Sequence, residues 1–572
     1  MKKLFRLMAV FVLLVISVQI GRVMSQSCEV GGILSIDTVW DPGTCAVYRA
    51  SNSVLVSSGV SLTIAPGTTV EFDSQKGLEI RGTLIAQGTS SAPIRFTSSA
   101  ASPMPGDWAG IAFVSPQEFT PINGGTIQYA TIEYAGGGNV NPLEVDRRAA
   151  VRVYSAFPTI ENVTIRESLT SGLYVWGTSS PYISNNQVVN NHQSGIHIEG
   201  IGIQAMAPIM VSNNMIAGNG SANTDAGGGI DINGTPTTIR GNTVTGNAAC
   251  HGGGIRFSSS GLIENNVIAG NSAPCVPFLE SGNGGGIVYT GFETIIRNNV
   301  ITGNQANNSG GAFYIRLSSP SAGQLTGNLI SNNSAKIKGG GLFIVCCSVP
   351  DIAANSIVDN TVEQTNQGGG VYCYWETCPI TGNNIYHNLS GSPAITPNDF
   401  TNGHAAGIPD INAENNYWGT TDQGIIEAQV YHFVDDASLA LVDYLPFLNQ
   451  PIPLTFPSFS VNHSSGAPGS YFTVVGSSFP AGETISVEVN GFSLADVPSG
   501  VNGEFILILS TTSADEGNYQ VSGVGYPSAS DSFRLQIGET VWDQEGTGPV
   551  FELPAGIAVS EHLVFLPTVL TP

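Results

Sequence analysis

Side chains capable of chemistry recur at one fixed place in this sequence, in the short apolar strand that follows each cluster of glycines. One and three residues past the first apolar residue of that strand lie Arg152/Tyr154, Tyr174/Trp176, His197/Glu199, Asp231/Asn233, Arg256/Ser258, Val288/Thr290, Phe313/Ile315, Phe343/Val345 and Tyr372/Tyr374. Strand side chains alternate faces, so these pairs are expected to form two columns on one sheet face. The first five pairs are charged, polar and aromatic; the last four are mostly apolar or aromatic. Tyr174 and Trp176 offer flat apolar faces for sugar rings, and Glu199, Asp231 and Asn233 offer partners for hydroxyls, with Arg152, Tyr154 and His197 lining the same groove. Glu199 and Asp231 fall diagonally on adjacent strands, roughly 7 to 8 Å apart. That lies within the roughly 6.5 to 9.5 Å of an inverting glycosidase pair. A lyase would use Arg256 as base beside Ca²⁺ held by several carboxylates, of which Asp231 supplies only one. The alternative is an ordinary exposed sheet face with an incidental Arg256–Asp231 ion pair.

Such stations exist only if strands return in register, and the sequence supplies the period. The second member of a recurring Asn pair, or its equivalent, falls at Asn162, Asn186, Asn214, Asn242, Asn266, Asn299, Asn328, Asn355, Asn384 and Asn416, in steps of 24 to 33 residues. Between marks come short β-branched stretches such as Val267-Ile268-Ala269, broken by Gly and Asn, with no helical periodicity. A unit of that length cannot bury its apolar face alone and must stack on copies of itself. Gly and Asn suit the corners because they tolerate the left-handed backbone of a sharp bend. Asn side chains on successive coils can also hydrogen-bond along the axis. The expected fold is all-β, a parallel β-helix solenoid.

The chain of 572 residues carries 19 Lys and Arg against 43 Asp and Glu, a formal charge of −24. Lysine occurs only at Lys2, Lys3, Lys76, Lys336 and Lys338, which argues against a nucleic-acid or anionic-membrane partner. Residues 1–25 read as a secretory signal peptide. Lys2, Lys3 and Arg6 precede an apolar run at 7–20, too short to span a bilayer, and Val23-Met24-Ser25 suits cleavage. The mature chain is expected to be secreted or at the cell surface, without an integral membrane segment. All eight cysteines lie beyond the leader, which favours disulfides. Cys250 and Cys275 occupy nearly one station on adjacent coils, within bonding range. Cys28 and Cys45 can staple the first coil, while Cys346, Cys347, Cys373 and Cys378 sit on neighbouring coils with their partners open. Their spacing fits no zinc pattern, and no cofactor is implied.

The stretch from Ser61-Leu62-Thr63-Ile64-Ala65-Pro66-Gly67-Thr68-Thr69-Val70, through Gly82-Thr83-Leu84-Ile85-Ala86-Gln87-Gly88 and Gly106-Asp107-Trp108-Ala109-Gly110-Ile111, to Asn415-Asn416-Tyr417-Trp418-Gly419-Thr420 resembles the exported bacterial right-handed parallel β-helix proteins of pectate-lyase-like fold. The resemblance implies N-terminal coils and a cap over 26–150, and helix repeats with a closing coil over 151–450. It implies architecture more than chemistry, since that family includes lyases, hydrolases and adhesins. Asn223-Thr224-Asp225 matches one signature of pectin-hydrolysing members, but their other signatures are missing, so it reads as chance. The segment Gly227-Gly228-Gly229-Ile230-Asp231-Ile232 resembles half of a Ca²⁺-binding repeat, but Asp does not recur on the next coils. After Pro451-Ile452-Pro453 the pattern changes to alternating strands over 451–537, a small β-sandwich. Ser470-Tyr471-Phe472-Thr473-Val474-Val475-Gly476 and Phe479-Pro480-Ala481-Gly482-Glu483 there resemble immunoglobulin-like modules of bacterial surface proteins. Residues 538–572 form a tail that either is a sorting signal or docks on the sandwich. The apolar stations Phe313, Phe343, Val345 and Tyr372 call for a cover, supplied by the sandwich, the loop at 275–284 or a partner. The function expected is binding of polysaccharide or another cell-surface component without catalysis. The alternatives are a hydrolase or lyase using Glu199, Asp231 and Arg256, and a structural or adhesive stalk.

Overall fold

The computed structural model describes residues 27–559, except 118–119, 139–147, 201–207, 226, 276–280, 318–322, 348, 375–377, 394 and 408. The leader at 1–25, part of the loop at 275–284, the end of the tail and the side chains of Cys346 and Cys347 lie outside the described residues.

Three parallel sheets wind around one core, and a fourth ladder of two-residue strands runs beside them over the later coils, beginning at Ser272–Ala273. In a typical coil Ile230–Asn233 lies on the first sheet, Thr237–Arg240 on the second and Thr243–Thr245 on the third. Each strand pairs in parallel with its counterparts one coil before and after. Period-two alternation explains the layering. Ile196, Ile198, Ile230, Ile232, Ile255 and Phe257 point inward and are buried, while His197, Asp231 and Arg256 form consecutive outward rungs.

Two internal Asn ladders hold the corners. The first runs Asn186, Asn214, Asn242, Asn266, Asn299, Asn328, Asn355, Asn383, Asn416, each Nδ2 donating to the next Oδ1 at 2.9 to 3.3 Å. Two of the expected marks fall elsewhere. Asn383, not Asn384, is the rung, and Asn162 has φ 54°, the left-handed corner taken on later coils by Asn185 and Asn213. A second ladder, five residues on, runs Asn191, Asn219, Asn247, Asn271, Asn304, Asn333, Asn360, Asn388 and ends on the buried carboxyl of Asp399. The glycine clusters make room for it: a Cβ on Gly254 would stand 3.0 Å from Asn271 Nδ2 and 2.7 Å from the Gly286 carbonyl.

Ala312 stands where other coils have the last glycine of the cluster, so the outward stations of that coil shift by one. Phe313 is a core residue in register with Ile287 and Leu342, and Tyr314 is the outward rung between Val288 and Phe343. The column Val288, Tyr314, Phe343, Tyr372 is nevertheless buried. Its rings pack on one another at 5.5 and 5.7 Å between centroids. Lys338 Nζ caps the far end, 4.8 Å from the Tyr372 ring and 4.7 Å from that of Tyr374, and burial pulls its pKa down.

The solenoid closes on Trp418 and Tyr444 beside a short helix, Gln423–Glu427. A two-sheet sandwich follows, with Phe472, Leu507, Tyr519 and Phe533 in its core. Val550–Glu552 adds to it in parallel beside Phe505–Ser510, so this part of the tail packs on the sandwich. The sandwich meets the solenoid through Arg240, whose Nη2 donates to Tyr526 Oη at 3.2 Å and lies 3.7 Å from Glu483. Since Arg240 belongs to the second sheet, the sandwich does not supply the expected cover over the first-sheet aromatic column.

Candidate functional site

The first-sheet register brings the candidate residues together as rungs. Arg152, Tyr174, His197, Asp231 and Arg256 are successive neighbours in one column, and Tyr154, Trp176, Glu199, Asn233 and Ser258 in the next. Glu199 faces Asn233 across the ladder and is diagonal to Asp231.

The two columns are unequally open. Arg152 is a correction: its side chain is wholly buried, with Nη2 donating to the Ala109 carbonyl at 2.8 Å and Nη1 to that of Gly138 at 3.2 Å. Segments distant in sequence therefore cover it, and it does not line an open groove. Tyr154 and Tyr174 are also buried, packed with Trp176 in a small cluster. Tyr174 stacks on His197 at 4.7 Å, and its hydroxyl donates to Glu199 Oε2. These tyrosines hold their neighbours rather than present a free ring to a ligand. Trp176, His197, Glu199, Arg256 and Ser258 are part-exposed, and Asn233 is exposed.

At the centre Asp231 is sealed, its side chain 3% exposed. Arg256 grips it with both arms, Nε to Oδ1 at 2.6 Å and Nη2 to Oδ2 at 2.9 Å, and His197 Nδ1 lies 3.2 Å from Oδ2. Burial pushes this carboxyl's pKa up, against the pull of His197 and Arg256.

An acid flanked by two basic side chains from the adjoining coils occurs on the other two sheets as well, in direct register on the second and with one partner diagonal on the third. On the third, Glu133 lies between Arg95 and Arg166, each at 2.6 Å; burial opposes ionisation there, but the two guanidinia hold its pKa down. On the second, Glu264 lies between Arg240 at 3.5 Å and Arg297 at 2.8 Å. The period carried a signal for the latter set, since Arg240, Glu264 and Arg297 each stand two residues before a ladder Asn.

Disulfides join Cys28 to Cys45, Cys250 to Cys275, and Cys373 to Cys378. Among the described residues no group of three or more His, Cys, Asp or Glu is placed to hold a metal ion.

The family model of a right handed beta helix region matches residues 149–319, and that of a pectate-lyase like beta helix domain matches 31–141. No curated protein matches the chain significantly. With the three parallel sheets, these matches make the solenoid a right-handed parallel β-helix.

Proposed function

We propose that this protein is an exported β-helix that binds a neutral polysaccharide, or another glycan-bearing surface, on the outer face of its first sheet and does not cleave it. The observation that carries this reading is the state of Asp231. A general acid or base must exchange a proton with substrate, but this carboxylate is sealed and gripped by Arg256, in a charge order that recurs at Glu133 and Glu264 as architecture. Glu199 is likewise held by Tyr174. Beside Asp231 the residues Trp176, Asn233 and Arg256 remain accessible with the part-exposed Glu199, an apolar ring next to hydrogen-bonding groups, as a sugar subsite requires. Two acids against one arginine, in a chain of charge −24, favour neutral sugars over uronic ones. The disulfides and the signal-like leader support an extracytoplasmic location, and no described helix is long and apolar enough to cross a membrane. The sandwich, by its resemblance to immunoglobulin-like modules, serves as a spacer or second binding unit.

A glycan array followed by reducing-end and unsaturated-product assays tests the proposal. Binding without products is expected. Products that disappear in Asp231→Ala and Glu199→Ala would establish the enzyme instead. Absence of any glycan binding would favour a stalk, a reading supported by the two uninterrupted Asn ladders.

A further inference from the structure

We infer that the corner preceding the first sheet carries a second, separate sugar-binding cleft, specific for neutral units of about disaccharide size. The cleft has a volume of about 580 Å³ and spans three coils: Glu167 and Leu169 on the first, Asn190 and His192 on the second, Ser221 and Asn223 on the third. That volume falls in the roughly 300 to 1,000 Å³ range of small-ligand sites.

Three observations bear on what it can hold. The first concerns its side chains: among the described residues those of Glu167, Asn190, His192 and Asn223 make no hydrogen bond or ion pair, although all line one cavity. Donors and acceptors of several kinds therefore converge there, around the apolar ledge of Leu169, which is 41% exposed. The second is backbone conformation. Glu167 holds φ 53°, the left-handed corner setting that every later coil repeats at this station, from Asn190 and Gly218 to Asp359 and His387, and that Glu takes uncommonly. A Cβ on Gly218 would stand 2.6 Å from Asn190 Oδ1, so the bare backbone leaves that amide its place.

The third observation is a pre-set wall. Ser221 N donates to Thr224 Oγ1 and Asn223 N to Ser221 Oγ, at 3.0 and 3.1 Å. Cys250 N donates to the Thr224 carbonyl at 2.8 Å. The sulfurs of the Cys250–Cys275 bridge lie 3.4 and 3.3 Å from the Ala222 carbonyl. Asn223, the first residue of the Asn223-Thr224-Asp225 run, lines the cleft, and Thr224 behind it is bonded to the following coil. A wall already ordered lowers the entropy lost on binding.

The ligand class follows from the chemistry. Amide, imidazole, hydroxyl and carboxylate groups around an apolar ledge suit vicinal hydroxyls. Glu167, with Asp225 on the adjoining turn, disfavours anions. No aromatic platform is present among the lining residues, so affinity in the millimolar range is expected. The inference does not rest on the reading of the first sheet.

Saturation-transfer NMR on the full chain, with cellobiose, maltose, lactose and mannobiose as probes, tests it. At least one probe should give a signal that Trp176→Ala retains and that both His192→Ala/Asn223→Ala and the cleft-filling Ser221→Trp abolish, with thermal unfolding unchanged. Silence from every probe, a signal surviving both cleft variants, or one lost in Trp176→Ala would overturn it.

Discussion

Asp231 on the first sheet and Glu264 on the second are the same device in different surroundings. Each is an acid between two basic side chains on neighbouring rungs. Around Glu264 both cations are arginines, 36% and 49% exposed, and one of them also anchors the sandwich. Around Asp231 one cation is replaced by His197, its ring stacked on Tyr174, and both partners are more enclosed, 24% and 28% exposed. Charge order alone thus marks a way of stacking ionised rungs in a solenoid. What singles out the first sheet as a surface for a ligand is the accessible ring of Trp176 and the polar groups beside it. A charged residue at an outward station is weak grounds for catalysis when its neighbours on both sides neutralise it.

Several experiments would break or sharpen this contrast. The largest effect is expected at Asp399, an acid with no cation on the rungs beside it. Burial pushes its pKa up to about 7, against the two N–H groups of Asn388 that favour the charged form. Its folded value lies above the unfolded one, so the native state holds the proton more tightly. Its contribution to stability is therefore greatest below about pH 4 and is lost as the pH rises to about 7, by about 4 kcal/mol. Asp399→Asn should remove that dependence in urea unfolding measured across this pH range.

Next, Asp231→Ala should lower unfolding stability by about 3 kcal/mol, since it strands enclosed cations, and Glu264→Ala by only about 1 kcal/mol, since its arginines can turn to water. Equal losses would break the comparison. Trp176→Ala should weaken glycan binding about 30-fold, the effect of losing an anchoring ring of about 2 kcal/mol, while Glu264→Ala leaves affinity unchanged in the same titration. The smallest effect, about fivefold, is expected for Asn233→Ala, one exposed hydrogen-bonding group.

The solenoid was legible because Asn and Gly recur at a period that only stacked coils explain. Register was legible too, except where Ala312 took a glycine's place and moved Tyr314 into the outward column. The second Asn ladder is hard to tell from turns in the sequence, because most of its Asn residues sit in Gly-Asn and Asn-Asn steps. Within the site, the rungs His197, Asp231 and Arg256 followed from period-two alternation, but their accessibility did not. The burial of Arg152 depends on carbonyls at Ala109 and Gly138, one of them 43 residues away, and no local pattern encodes that. The corner cleft was invisible for a related reason: its residues come from three coils and belong to no strand.

The second Asn ladder has an electrical consequence. In every rung from Asn191 to Asn388 one amide hydrogen reaches forward to the ladder residue of the next coil, while the other returns to a backbone carbonyl of the coil before. The side-chain-to-side-chain bonds alone run head to tail, over about 34 Å at the spacing of parallel strands. Their positive end meets Asp399, as the start of an α-helix meets an acid. The coil stack is a polar rod whose terminal charge rests on one carboxyl, balanced near neutrality between the pull of that column and the cost of burial.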